Sequence, residues 1–111
     1  MTSPITKKYS DTTAQKLSIE IETILVERNL RGMKTVQGAL SQGYILRAAQ
    51  LMLPIRGRVL IGTGFPVVDT FETDGPVGAI ALYQAFEALG AEPVIVCGPP
   101  LSDELSKNYR V

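Results

Sequence analysis

The residues with the most chemistry in this chain stand together in the run Glu72-Thr73-Asp74-Gly75-Pro76. Two carboxylates two positions apart in a stiff turn can converge on a hard cation such as Mg2+ or Mn2+, hold an ammonium group, or take a proton as general base. A plainer reading uses the same residues, with Asp74 as the N-cap of the following helix and Glu72 solvated. Thr73, like Thr63 before it, either hydrogen-bonds a ligand or steadies its own turn. The run closes a costly stretch, residues 62–78 (GTGFPVVDTFETDGPVG), which holds four glycines, two prolines, three acids and three threonines. Gly62 and Gly64 permit positive φ and let a ligand approach the backbone. Pro76 suits the first turn of a helix, where its missing N–H is not needed. Free N–H groups near Gly75, Val77 and Gly78 would attract an anion. On the reading that these residues work rather than cap, the site is Glu72 and Asp74 as catalytic and metal-holding carboxylates, with Gly64, Thr73, Gly75 and Gly78 around a substrate.

The elements on either side say where such a site would lie. Arg58-Val-Leu-Ile-Gly62 reads as a strand buried on both faces, as in a parallel sheet. From Pro76 to Leu89 the apolar residues recur at helical spacing, and Gly90 stands where a glycine ends a helix. Glu92-Pro-Val-Ile-Val-Cys97 reads as a second buried strand, broken by Gly98-Pro99-Pro100, with Ser102 as N-cap of a further helix. Residues 58–97 are thus a βαβ unit, and ligands of open α/β sheets bind at the carboxyl ends of the strands. Two helices precede it. The first starts near Asp11, carries Ala14, Leu17, Ile21, Ile24 and Leu25 on one face, and sets Glu20, Glu22 and Glu27 mostly on the other. The second runs from about Val36 to Leu53, with Val36, Ala39, Leu40, Ala48, Ala49 and Met52 inward. Residues 1–10 read as a flexible arm, and residues 11–111 as a single α/β domain. The expected fold is Rossmann-like and three-layered. Two strands alone make a poor parallel sheet, so the chain reads as an N-terminal portion of a larger domain, or one that a partner completes.

Composition narrows the chemistry. The chain has no histidine, which removes Ser-His and Cys-His nucleophile systems and the usual zinc sites. Its single cysteine, Cys97, allows no internal disulfide and fits a reducing compartment. It reads as a buried strand residue rather than a nucleophile. Eleven basic residues balance eleven acidic ones, which argues against nucleic acid or an anionic membrane as partner. Tryptophan is absent, so base-stacking platforms are not expected. The first residues lack the apolar core of a secretory signal, and no apolar run reaches the length of a membrane span. A cytoplasmic protein acting on a small molecule is expected. Gly62-x-Gly64 begins a dinucleotide fingerprint, but Val67 stands at the third glycine position and the loop is too long, so no nucleotide cofactor is expected. Asp69 reads as a surface loop residue, Tyr83 and Phe86 as packing, and Arg56 and Arg58 as solvated.

The segments GTGFPV and ETDGPVGAIALYQAFEALGAEPVIV, in that order, resemble the D-glutamate cyclase C-terminal-type domain family. The family carries TGFPV after a strand and ETDGP-x-GA at the start of a helix. Arg31-Gly32-Met33, ahead of a helix leading into the strand, is also similar, so the resemblance covers roughly residues 28–98. Family domains are longer than this chain. The resemblance implies interconversion of D-glutamate with 5-oxo-D-proline and water. It also raises Arg31, otherwise a solvated linker residue, to a candidate bidentate clamp for a substrate carboxylate. The expected function is a lyase of this type, with Mg2+ or Mn2+ as candidate aid and a homo-oligomer left open. The alternatives are a non-catalytic module binding an acidic metabolite or nucleotide, and an inactive fragment that needs a partner.

Overall fold

The computed structural model describes residues 11–111, which form two compact units, one ending at Pro54 and the other spanning Ile55–Val111. The arm expected over residues 1–10 lies outside the described residues.

The first unit is helical. Helix α1 (Asp11–Leu25) packs on α3 (Tyr44–Met52), and between them come a 3-10 turn at Leu30–Gly32 and the short helix α2 (Met33–Gln37). The single helix expected from Val36 to Leu53 is therefore broken across residues 38–43. Gly43 adopts φ 87°, a conformation glycine reaches without steric cost, and turns the chain into α3. The inward face of α1 also differs from the apolar stripe. Ser18 and Glu22 are buried, as is Val26 just past the helix end, while Ile24 is 68% exposed and Leu17, Ile21 and Leu25 are also exposed. The inward residues expected of the second helix change too, because Val36, Ala39, Leu40, Ala48 and Ala49 are all exposed.

Hydrogen bonding explains the inversion. The Glu22 carboxylate accepts the N–H of Gly43 at 2.9 Å and that of Ile45 at 3.3 Å, so it caps the start of α3. Ser18 Oγ donates to the same carboxylate and accepts the N–H of Leu46 at 2.9 Å. Helix starts leave backbone donors without partners, and burying a carboxylate is tolerable only where such donors meet it. Burial pushes the Glu22 carboxyl up, but the bonds from Ser18 and from the backbone of Gly43, Ile45 and Tyr44 outweigh it and hold it below its usual value.

The second unit holds the βαβ arrangement. Strand β1 (Arg58–Gly62) pairs in parallel with β4 (Glu92–Val96), Arg58 opposite Glu92 and Gly62 opposite Val96. Between them come a hairpin of β2 (Pro66–Val67) and β3 (Thr70–Phe71) and the helix α4 (Asp74–Ala88). Helix α5 (Leu101–Leu105) follows β4. Its N-cap position is Pro100, so the chain enters the helix two residues before the expected Ser102 cap. The fold class is mixed α/β.

Helix α4 packs on one face of the sheet. Ile61, Pro93 and Ile95 lie buried on the strands with Ala79, Tyr83 and Phe86 on the helix, and Ile95 is wholly inaccessible. The opposite face is open. Leu60 is 67% exposed and Val96 50%, so the expected burial of both faces is corrected to burial of one. Helix α4 ends at Gly90, φ 92°. The Gly90 N–H donates to Glu87 O and the Ala91 N–H to Phe86 O, which is a Schellman closure. The last residues run beside β4: Ile95 N–H donates to Arg110 O at 2.9 Å, and Arg110 Nε donates to Pro93 O at 3.1 Å. Tyr83 holds them from the helix side, its hydroxyl accepting the Arg110 N–H at 3.2 Å and its ring meeting Tyr109 edge-on at 5.2 Å.

Candidate active site

The site builds outward from the carboxyl end of β1. Thr63 N–H donates to Val96 O at 3.1 Å, which carries the strand pairing one residue past Gly62. Gly64 then takes φ 92°. A Cβ there would lie 3.1 Å from Cys97 Cβ and 3.2 Å from Leu101 Cδ2, so a side chain fits neither the dihedral nor the space. Gly64 thus presses the start of the loop against the turn between β4 and α5. Cys97 is half-buried, and burial pushes its thiol up, which makes it a poor nucleophile.

The stretch after Gly64 is a hairpin rather than an irregular loop. Asp69 sits exposed at its turn with φ 60°, a conformation that aspartate tolerates better than most residues. Glu72 N–H donates to Phe65 O at 3.1 Å, so the hairpin returns Glu72 to the place where the excursion began. Two-residue strands carry no readable periodicity, which is why sequence patterning misses them.

Helix α4 begins at Asp74, two residues before the expected Pro76. Asp74 is the first helical residue and not the N-cap. That position falls to Thr73, which makes no side-chain capping bond. The donors free of helical partners are then those of Thr73, Asp74 and Gly75, since Pro76 has none and Val77 and Gly78 lie far enough in to bond back along the helix. Asp74 is exposed on the first turn, where a negative charge is favoured by the helix dipole. Gly78 is exposed, with open space where a side chain would stand.

Gly75 is the centre of the arrangement. A Cβ built on it would collide with the Glu72 carboxylate and would lie 3.2 Å from Thr63 Oγ1. The carboxylate therefore folds over the bare glycine at the uncapped start of α4. Thr63 Oγ1 is buried and has no hydrogen-bond partner, the sole such side-chain atom among the described residues. Glu72, Asp74, Thr73 and Gly75 are thereby gathered at one helix start beside Thr63, and Gly64 fixes the loop that leads to them. Patterning named Thr63 without deciding its role, because a buried hydroxyl left without a partner is a property of packing.

Arg31 belongs to the first unit. It is exposed and takes φ 55° within the 3-10 turn, flanked by Asn29 at φ 47° and Gly32 at φ 70°. Three left-handed residues in four positions make a strained segment for a non-glycine side chain. The Asn29 carboxamide oxygen secures it by accepting the Lys34 N–H at 2.9 Å.

Among the described residues no group of three or more His, Cys, Asp or Glu side chains gathers as a metal cage. Glu72 and Asp74, two positions apart in the chain, are the oxygen donors that would hold a Mg2+ ion here, a cation that takes few protein carboxylates and keeps several waters. No helix among the described residues is long and apolar enough to cross a membrane.

A family profile described as D-glutamate cyclase-like, C-terminal matches residues 21–110. The chain belongs to that family. The match begins inside α1 and takes in the rest of the helical unit together with the whole β1–α4–β4 segment, so the ETDGP helix start lies inside it. No curated protein and no solved structure matches the chain.

Proposed function

We propose that this D-glutamate cyclase-like chain is a lyase interconverting D-glutamate with 5-oxo-D-proline and water. The observation that carries the reading is the Glu72 carboxylate folded over Gly75 at the uncapped start of α4, beyond the carboxyl end of β1. Family membership supports it.

The reaction makes three demands. The α-ammonium must lose a proton so that its nitrogen can attack the γ-carboxyl carbon. The charge on the γ-carboxylate must be offset, since a carboxylate is a poor electrophile. One γ-oxygen must then leave as water, taking with it the two protons that the nitrogen sheds on becoming a lactam N–H. Glu72 and Asp74 are the groups able to accept and return those protons. The N–H groups of Thr73, Asp74 and Gly75, free of helical partners, would bind a substrate carboxylate or the oxyanion of the tetrahedral intermediate. A divalent cation such as Mg2+ or Mn2+, held by Glu72 and Asp74, would neutralise the γ-carboxylate. Arg31 is the candidate clamp for a substrate carboxylate. The β1–α4–β4 unit would be the part of a Rossmann-like, three-layer fold on which such a site sits, and a cytoplasmic setting is proposed because the single cysteine fits a reducing compartment.

Proton NMR of the purified protein with D-glutamate and, separately, 5-oxo-D-proline tests the reading, with Mg2+ and after EDTA. Interconversion that Asp74→Asn abolishes is the expected result. No interconversion under either condition overturns it.

A second reading has its own observation. The open face of the β1–β4 sheet exposes Leu60, as a subunit completed by another chain would. Sedimentation of the purified protein decides between a monomer and an assembly.

A further inference from the structure

We propose that Thr63 is a positioning residue whose buried hydroxyl, unpaired in the resting fold, moves by a small step to donate to the Glu72 carboxylate over Gly75. Glu72's role as proton carrier rests on the lyase reading, while its placement by Thr63 does not.

Three observations converge on this. Thr63 Oγ1 is shut off from solvent and has no partner, although its own N–H is anchored on Val96 O. Buried hydroxyls are nearly always hydrogen-bonded, and one left over in a well-formed turn points to a partner that arrives by a small movement. A carboxylate acceptor stands on the same side of Gly75, since the Glu72 carboxylate and Thr63 Oγ1 both crowd the place a Cβ would take there. Gly75 supplies the room, since any Cβ there would occupy the place where the carboxylate lies. A hydroxyl inaccessible to water is also inaccessible to substrate, so Thr63 acts through a neighbour. Donating to one carboxylate oxygen would choose which oxygen is left to face the substrate.

The first unit contains the same pairing in its completed form. Ser18 Oγ donates to the Glu22 carboxylate there, and the backbone N–H groups of a helix start take up the rest. Thr63 and Glu72 repeat the hydroxyl and the carboxylate beside a helix start, without the closing bonds.

Thr63→Val removes the hydroxyl at nearly constant shape, and Thr63→Ser keeps it. Because the hydroxyl has no structural partner, Thr63→Val is expected to melt no lower than wild type. Its kcat is expected to fall by about tenfold with KM little changed, and Thr63→Ser to restore it. An arm independent of turnover reads the 13C resonance of the Glu72 carboxyl carbon at neutral pH. It should move in Thr63→Val and stay at its wild-type position in Thr63→Ser. An unmoved resonance in folded Thr63→Val overturns the proposal, as does a lowered melting temperature that accounts for all the lost activity. If wild type shows no interconversion, the lyase reading fails, and the resonance still decides whether Thr63 positions Glu72.

Discussion

Two helix starts in this molecule are built from the same parts and finished differently. At α3 a glutamate and a serine are tied in, with Glu22 taking the backbone N–H groups of Gly43 and Ile45 and Ser18 bonded on both sides. At α4 a glutamate, an aspartate and a threonine gather around an uncapped first turn, and the threonine hydroxyl is left without a partner. The first arrangement stabilises. Its carboxylate is buried and held ionised by the donors around it. The second leaves donors and acceptors unspent, which costs stability and leaves groups free to meet a substrate. A carboxylate at a helix start is therefore structural or chemical according to how many of its bonds the fold has already closed.

The sharpest way to break this comparison is to neutralise each carboxylate and follow both stability and turnover. Glu72→Gln should lower turnover by about a hundredfold or more, the upper part of what a general base contributes, with little change in melting temperature. If the variant unfolds instead, the two helix starts are alike and the contrast fails. Gly75→Ala comes next. The new methyl group takes the place of the Glu72 carboxylate and displaces it, so turnover should drop by about tenfold or more while the helix gains propensity. Circular dichroism beside the NMR assay separates those effects.

At the other helix start the prediction reverses. Glu22→Gln should lower the melting temperature and loosen amide protection at Gly43, Ile45 and Leu46, seen by hydrogen exchange. In the wild-type chain the folded Glu22 carboxyl lies below its unfolded value. Its contribution is thus full above the unfolded value and is lost as pH falls through the folded one. Acid melts of wild type and Glu22→Gln should converge below that window and diverge above it. The smallest effect concerns Arg31. Replacing it with glycine relieves the left-handed strain and should stabilise the chain by about 1 kcal/mol at most, measured by urea denaturation. A higher KM for D-glutamate in that variant would mark Arg31 as a carboxylate clamp, and an unchanged one would leave it a strained turn residue.

Several features were legible before any coordinates. The β1–α4–β4 order follows from two β-branched runs around a helical period, and Gly90 ends α4 in the left-handed conformation its position called for. Tyr83 and Phe86 are buried as packing, and Asp69 is exposed. The motif order TGFPV then ETDGP pointed to the family. These are properties of local spacing and of residue types with few alternatives, such as glycine at positive φ.

What local spacing could not supply was any outcome that depends on a distant partner. Glu22 counted as a polar-face residue on α1, yet it is buried because a helix start many residues later supplies its donors. The long second helix divided at Gly43 for the same reason. Helix α4 started at Asp74 because the hairpin returned the chain to Phe65 and set Glu72 there, which no capping preference of Asp74 could announce. The strands were read as buried on both faces, since an apolar run is the same whether one face or two is covered. The sequence by itself determined which residues could do chemistry and the family they belong to. Tertiary structure alone decided which carboxylate has its bonds closed and which hydroxyl is left waiting, because hydrogen-bond satisfaction is settled between segments and not along them.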